Sequence, residues 1–106
     1  MTFDEYAKAA MRTAAPTMSK RDALTLSALG LCGEAGEFVD LWKKISYHNH
    51  PMDATKLCEE LGDILWYVNS LGRHLGFTLE EIAKTNLEKL ADRRKRNVIR
   101  GNGDNR

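Results

Sequence analysis

Two stretches of this chain place acidic residues among apolar ones: LGLCGEAGEFVDL at residues 29–41 and LCEELGDILW at residues 57–66. Each stretch contains two acids three residues apart, and side chains with that spacing share one face of a helix. The two acidic pairs are Glu34 with Glu37, and Glu60 with Asp63. Carboxylates on the apolar side of a helix are costly unless a cation neutralises them. The sequence therefore predicts two helices whose acids converge on a hard divalent cation, Mg2+ or Mn2+.

Helical patterns continue on both sides of these stretches, and residues with capping preferences mark their ends. The four predicted helices cover about residues 3–14, 19–45, 53–75 and 78–95. Thr2 and Thr78 each precede a glutamate by three residues, which is the spacing of a capping box. Pro16 is predicted to stop the first helix and Gly76 the third. Because no useful length of strand-like alternation appears, the predicted fold class is all-α.

The third helix carries apolar residues on more than one side, which indicates burial on most sides. These residues are Leu57, Leu61, Ile64, Leu65, Val68, Leu71 and Leu75. Three neighbouring helices would leave part of that surface wet, so we expect a four-helix bundle protomer that assembles into a dimer or tetramer. The 106 residues suffice for one small domain, over residues 1–106, with a polar, glycine-rich and flexible tail at residues 101–106.

Composition excludes several classes of protein. The net charge of +1 is too small for a strongly basic nucleic-acid binder, so nucleic acid is not an expected partner. No apolar run approaches the roughly 18 residues of a membrane span, so no membrane partner is expected. The acidic N-terminal residues are not those of a targeting segment, and Cys32 and Cys58 are interpreted as free thiols in a reducing cytosol. The expected location is therefore cytoplasmic.

Other interpretations of the charged residues stay open. A single acidic pair is usually a solvated helix face, and the acids could form salt bridges between subunits of a non-catalytic helical binding or regulatory module. A carboxylate-bridged di-iron bundle would need Glu-x-x-His motifs, and neither pair is one. His48 and His50 have no other soft ligands in a loop bounded by proline, so we interpret them as loop residues or as residues that contact the ligands of a metal, rather than as a metal pair. The basic run at residues 93–96 is interpreted as surface charge.

The complete pattern resembles a known family. Glu34-x-x-Glu37, 22 intervening residues and Glu60-x-x-Asp63 resemble the ExxE…ExxD signature of the MazG-like, all-α nucleoside triphosphate pyrophosphohydrolases. The resemblance covers about residues 24–106 and includes GLCGEAGE at 30–37, KK at 43–44, HNH at 48–50, EELGDILWY at 59–67, NLEKL at 86–90 and Arg93. It implies a helical bundle that works as a dimer or tetramer, with the four acids binding Mg2+. Gly33 stands where many family members carry an additional glutamate.

The resemblance implies hydrolysis of a nucleoside triphosphate between the α and β phosphates, which yields a monophosphate and pyrophosphate and could serve nucleotide-pool house-cleaning. In this interpretation Glu37 or Glu34 orients or deprotonates the attacking water. Basic residues neutralise the remaining phosphate charge, an amide binds phosphate or sugar, and an aromatic ring contacts sugar or base. The predicted substrate-binding residues are Lys44, Lys56, Tyr67, Asn86, Lys89 and Arg93.

Overall fold

The computed structural model describes residues 1–15, 18–97, 100–101 and 103–104. It contains four α-helices and one short 3₁₀ turn: α1 Phe3–Ala10, the turn Met11–Thr13, α2 Lys20–Tyr47, α3 Ala54–Leu75 and α4 Leu79–Lys95. These residues contain no strand, so the all-α class expected from the sequence is confirmed. Pro16, which was predicted to stop the first helix, lies outside the described ranges.

The helix starts are held by the caps that the sequence predicts. The hydroxyls of Thr2 and Thr78 each accept a hydrogen bond from the backbone N–H three residues later, at 3.1 Å, and both capping boxes are complete. Ser19 caps α2 and Asp53 caps α3 in the same way. Gly76 ends α3 with a φ of +88°, in the left-handed region that glycine enters at little cost. Local sequence chemistry therefore fixes these boundaries.

The prediction for α1 was wrong at its C-terminal end, because the helix stops at Ala10 and not near residue 14. The carbonyl oxygen of Ala10 accepts hydrogen bonds from the Trp66 indole N–H at 3.0 Å and from the Thr13 hydroxyl at 2.9 Å. The N–H of Ala14 donates instead to the carbonyl of Met11, at 3.1 Å. The hydrogen bond from Trp66 thus takes the place of the α-helical bond that the Ala14 N–H would donate to Ala10. The chain tightens into the 3₁₀ turn instead.

The antiparallel pair of α2 and α3 forms the framework of the molecule. The hydroxyls of Ser27 and Ser70 meet in a buried hydrogen bond of 2.9 Å. Almost one turn along α2, Gly30 lies against the ring of Tyr67, and a Cβ at Gly30 would collide with that ring. These two contacts set the register of the helix pair. The register in turn determines which residues of α2 lie opposite which residues of α3 at the acidic end.

The shorter helices pack toward the Ser27–Ser70 end of this pair. Trp66 holds the end of α1 through the Ala10 carbonyl, and α4 contacts both α1 and α3. The chain turns sharply into α4, where the N–H of Phe77 donates to the carbonyl of Gly72 at 2.8 Å. Gly72 has no side chain and so makes room for Ile82 of α4. This packing buries Leu79 at the start of α4.

One copy of the chain leaves much apolar surface exposed. Its accessible surface is 8247 Å², whereas a compact protein of this mass exposes about 6,000 Å². Its radius of gyration is 16.5 Å, against about 13 Å for a compact domain of this length. Leu29, Val39 and Leu61 are more than half exposed. The burial that the sequence predicts for α3 is therefore not supplied within a single copy.

Among the described residues, no helix combines the length and the apolar character needed to cross a membrane. The two cysteines, Cys32 on α2 and Cys58 on α3, are both free, and both are exposed.

Candidate metal centre

Three carboxylates meet where α2 and α3 face each other. One oxygen each of Glu34, Glu37 and Glu60 lies within 4.8 Å of the others. The two glutamates of α2 share a helix face because they are three residues apart. The register fixed by the serine pair and by the Gly30–Tyr67 contact carries the α3 acid to the same level. Three acids from two separate stretches of sequence thus form one cluster.

The cluster is electrostatically unfavourable when no cation is bound. Partial burial, followed by the negative charges of Glu37 and Asp63, raises the pKa of Glu34 above its ordinary value. Partial burial and the charge of Glu37 likewise raise the pKa of Glu60. Like charges held close together oppose ionisation, and a bound cation would reverse that effect. The pKa directions are therefore those expected of a cation site.

Two oxygen atoms in the cluster have no hydrogen-bond partner. Oε2 of Glu34 and Oε2 of Glu60 are buried and accept no hydrogen bond from any described part of the chain. Buried acceptors without partners are rare because each costs free energy, so such atoms call for a ligand or a water. An all-oxygen donor set of carboxylates suits hard divalent cations. The residues present therefore fit such an ion.

Asp63, the fourth predicted ligand, is not among the three clustered acids. It lies almost one turn beyond Glu60 on α3 and is exposed, yet its charge reaches the pKa values of Glu34 and Glu60. Asp63 also has a neighbour that the sequence did not predict, namely Tyr6 on α1. Burial, followed by the negative charge of Asp63, raises the pKa of Tyr6. No spacing pattern could have linked Tyr6 to an acid on another helix.

An open groove of about 510 Å³ runs beside the cluster. It is lined by α2 and α3 residues, namely Gly33, Gly36, Glu37, Asp40, Leu41, Lys44, Lys56 and Glu60. Lys44 is engaged by Asp40 at 2.8 Å, and this hydrogen bond is the main cause of the lowered pKa of Asp40. Lys44 and Lys56, both predicted to bind substrate, thus share one groove with two of the acids.

Tyr67 lies further along the helix pair, in a pocket of about 680 Å³. Its ring meets that of Trp66 edge-on, with the ring centres 4.9 Å apart. Ser27, Ser70 and Arg73 also line this pocket. The tyrosine therefore borders a cavity at the Ser27–Ser70 end of the helix pair, and this cavity shares no described lining residue with the groove.

None of the predicted α4 residues is among the residues described as lining the groove. The described lining of the groove comes from α2 and α3 alone. Lys89 and Arg93 instead bind Asp104, with Nζ of Lys89 and a terminal guanidinium nitrogen of Arg93 each 3.1 Å from the same carboxylate oxygen. Asn86 is exposed on the same helix. Within the segment predicted to be a flexible tail, Asp104 is thus held against α4.

The two histidines of the predicted loop follow the end of α2. His48 caps the helix, and the N–H of His50 donates to the carbonyl oxygen of Lys44 at 3.2 Å. Between them, Asn49 has a φ of +59°. The His48–His50 segment therefore closes the end of α2, and neither histidine belongs to the described acidic cluster.

Comparisons with known proteins bear on this site. Residues 23–98 match the model of the MazG nucleotide pyrophosphohydrolase domain, a range that contains both acidic pairs and the α4 cations. The chain is 38% identical, over 114 aligned positions, to the gene 37 protein of Mycobacterium phage L5, and the alignment covers the full length of both. That name states no activity. No solved structure matches the chain significantly.

Proposed function

Since the chain belongs to the MazG nucleotide pyrophosphohydrolase family, we propose that it hydrolyses a nucleoside triphosphate between the α and β phosphates. The products are a nucleoside monophosphate and pyrophosphate. The observation that carries the proposal is the cluster of Glu34, Glu37 and Glu60, with two buried oxygens that lack partners. Such a cluster suits a cation that engages polyphosphate.

In this proposal Glu34, Glu37 and Glu60 hold Mg2+, and Asp63 joins them from the next turn of α3. Mn2+ is the alternative ion, because both metals favour carboxylate oxygens. When bound, the ion supplies positive charge to the phosphate oxygens and acidifies a nearby water.

Glu37 is the residue we propose to orient or deprotonate the attacking water. It is exposed and lines the groove, whereas Glu34 has a buried oxygen and is not among the lining residues described. A water in the groove can therefore approach Glu37 more readily than Glu34. The oxygen of that water bonds to phosphorus, its proton passes to the carboxylate, and the bridging phosphoanhydride bond breaks.

The remaining phosphate charge is assigned to basic residues. Lys56 and Lys44 lie in the groove and would bind phosphate oxygens there. Lys89 and Arg93 already hold a carboxylate, which supports a role in binding an anion. We further propose that Asn86 donates a hydrogen bond to phosphate or sugar and that Tyr67 contacts sugar or base. The last role is supported by the pocket that Tyr67 borders.

A homodimer or homotetramer is part of the proposal. One copy exposes roughly 2,200 Å² more than a compact chain of its mass would. A standard interface buries about 800 Å² on each partner, so the excess is enough for more than one such contact. Sedimentation at micromolar concentration should give a dimer or larger species, and a monomer would contradict this part.

The decisive experiment is a panel of ribo- and deoxynucleoside triphosphates incubated with Mg2+, with pyrophosphate and monophosphate measured separately. We expect the two products in equal amounts, and none when a chelator is present. Orthophosphate together with a diphosphate would overturn the proposed bond cleavage. No hydrolysis of any triphosphate, with no effect of Mg2+ on melting, would instead favour the non-catalytic binding module.

A further inference from the structure

The last turns of α4 hold an acid from further along the chain. Lys89 and Arg93 are four residues apart, so their side chains emerge on one face of the helix. The carboxylate oxygen Oδ1 of Asp104 accepts hydrogen bonds from both, each at 3.1 Å. Arg93 also donates to the backbone carbonyl of Asp104, at 3.1 Å. Three hydrogen bonds therefore join two basic residues to one acidic residue.

The two sides of this contact differ in how firmly they are built into the fold. The side chain of Arg93 is only 7% exposed, whereas that of Asp104 is 81% exposed. Arg93 lies on α4, whereas Asp104 reaches it from a segment beyond that helix. The cations are therefore carried by the helix, while most of the Asp104 side chain faces solvent.

The present occupant does not satisfy the site. Nε of Arg93 is buried and has no hydrogen-bond partner among the residues that the structure describes. A carboxylate offers two oxygens, and both basic residues use the same one. A phosphate group offers more acceptor oxygens and more negative charge, and a guanidinium binds it in a planar, two-pronged geometry. The geometry around Arg93 thus favours an anion richer in oxygen than Asp104.

Asp104 stays charged under ordinary conditions. Hydrogen bonds from Lys89 and then from Arg93 hold the pKa of its carboxyl below the usual value. At neutral pH the site is therefore occupied by an anion of the same sign as a substrate phosphate. Any phosphate that uses Lys89 and Arg93 must first displace this carboxylate.

We propose that Asp104 acts as a strap that occupies the Lys89–Arg93 site and competes with the phosphates of the substrate. The proposal rests on the proposed function, in which these two cations bind substrate phosphate. The strap weakens phosphate binding in the closed state and is released when polyphosphate arrives. It acts on binding and not on the bond-breaking step, because Asp104 contacts only Lys89 and Arg93 among the residues assigned to the site.

The test measures pyrophosphate binding by calorimetry in the presence of EDTA, so that neither a metal nor turnover is involved. Asp104→Asn removes the negative charge from the strap. Asp92→Asn is the matched control, because Asp92 lies on the same end of α4 and pairs with Arg96. Both variants lose one negative charge, but only the first frees Lys89 and Arg93.

We expect Asp104→Asn to bind pyrophosphate about three- to tenfold more tightly than the unmodified chain, since an ion pair with an exposed partner such as Asp104 is worth up to about fivefold. Asp92→Asn should bind like the unmodified chain. If both variants bound pyrophosphate equally more tightly, the cause would be the change in net charge, and the strap would be overturned. An unchanged Kd in Asp104→Asn would overturn it as well. In a Lys89→Ala background, the Asp104→Asn effect should shrink; an undiminished effect would also overturn the proposal.

Kinetics separate the strap from the proposed function. With triphosphate substrate, Asp104→Asn should lower KM by a similar factor and leave kcat unchanged. A chain that hydrolyses triphosphates normally but whose Asp104→Asn variant has unaltered KM and Kd would overturn the strap alone. A chain that hydrolyses nothing, yet binds pyrophosphate more tightly in Asp104→Asn, would retain the strap and overturn the proposed function.

Discussion

Replacing Gly30 with alanine tests how closely α2 approaches α3. A methyl group at this position would collide with the ring of Tyr67, so the ring or the helix has to move. Overpacking of this kind typically costs about 1–3 kcal/mol. The change also replaces a helical glycine, which by itself stabilises by about 1 kcal/mol. The net expectation is a change in the free energy of unfolding between about zero and 2 kcal/mol of destabilisation.

Gly33→Ala provides the matched control on the same helix. A Cβ there meets nothing within 4 Å, so only the gain in helix propensity applies. The two variants should therefore differ in the free energy of unfolding by about 1–3 kcal/mol, with Gly33→Ala the more stable. At about 4–8 °C per kcal/mol for a chain of this size, that difference is readily measured in thermal melts.

The assay is thermal unfolding of both variants at one fixed protein concentration, with a Gly30→Ala/Tyr67→Ala double variant included. Removing the ring should recover the helix-propensity gain that Gly30→Ala alone cannot show. If Gly30→Ala and Gly33→Ala were equally stabilised, the close approach of the Tyr67 ring to α2 would be refuted. The register of α2 and α3 would then depend on the Ser27–Ser70 hydrogen bond alone.

Three further predictions concern the acids and the docking of α1. Glu60→Gln should abolish pyrophosphate release and the Mg2+-induced rise in melting temperature while circular dichroism stays helical; normal turnover would remove Glu60 from the site. Because the folded-state pKa of Glu34 is raised, its contribution to stability in metal-free protein should fall as pH rises above the ordinary glutamate value. Melts in EDTA at about pH 5 and about pH 7 should show a larger loss in the unmodified chain than in Glu34→Gln, in which Glu60 still contributes, and identical profiles would contradict it. Trp66→Phe removes the indole donor to Ala10 and should cost about 1 kcal/mol of unfolding free energy in denaturant titrations, whereas an unchanged midpoint would show that the bond contributes nothing.

What the sequence could predict was mostly local. Capping boxes at Thr2 and Thr78, the caps at Ser19 and Asp53, and the stop at Gly76 depend on residues three or four positions apart. The spacing within each acidic pair also determines which helix face the acids occupy. Such short-range chemistry can be interpreted without knowing how the helices pack.

The contacts that could not be predicted join residues that are distant in sequence. The indole of Trp66 takes the Ala10 carbonyl and ends α1 early, across 56 positions. Tyr6 approaches Asp63 only because α1 packs where it does. Asp104 folds back on α4 from a glycine-rich segment whose composition indicates flexibility and nothing more. Each of these depends on the relative placement of helices, which periodicity does not contain.

The hydroxyl pair of Ser27 and Ser70 has a consequence for how the two long helices can slide. Two neutral hydroxyls contribute little net energy, but a slip would leave both buried without partners and so is penalised. A slip of one helical turn, about 5.4 Å, exceeds the 4.8 Å within which the carboxylate oxygens are grouped. The two serine side chains therefore favour the one alignment of α2 and α3 in which the acids can share an ion.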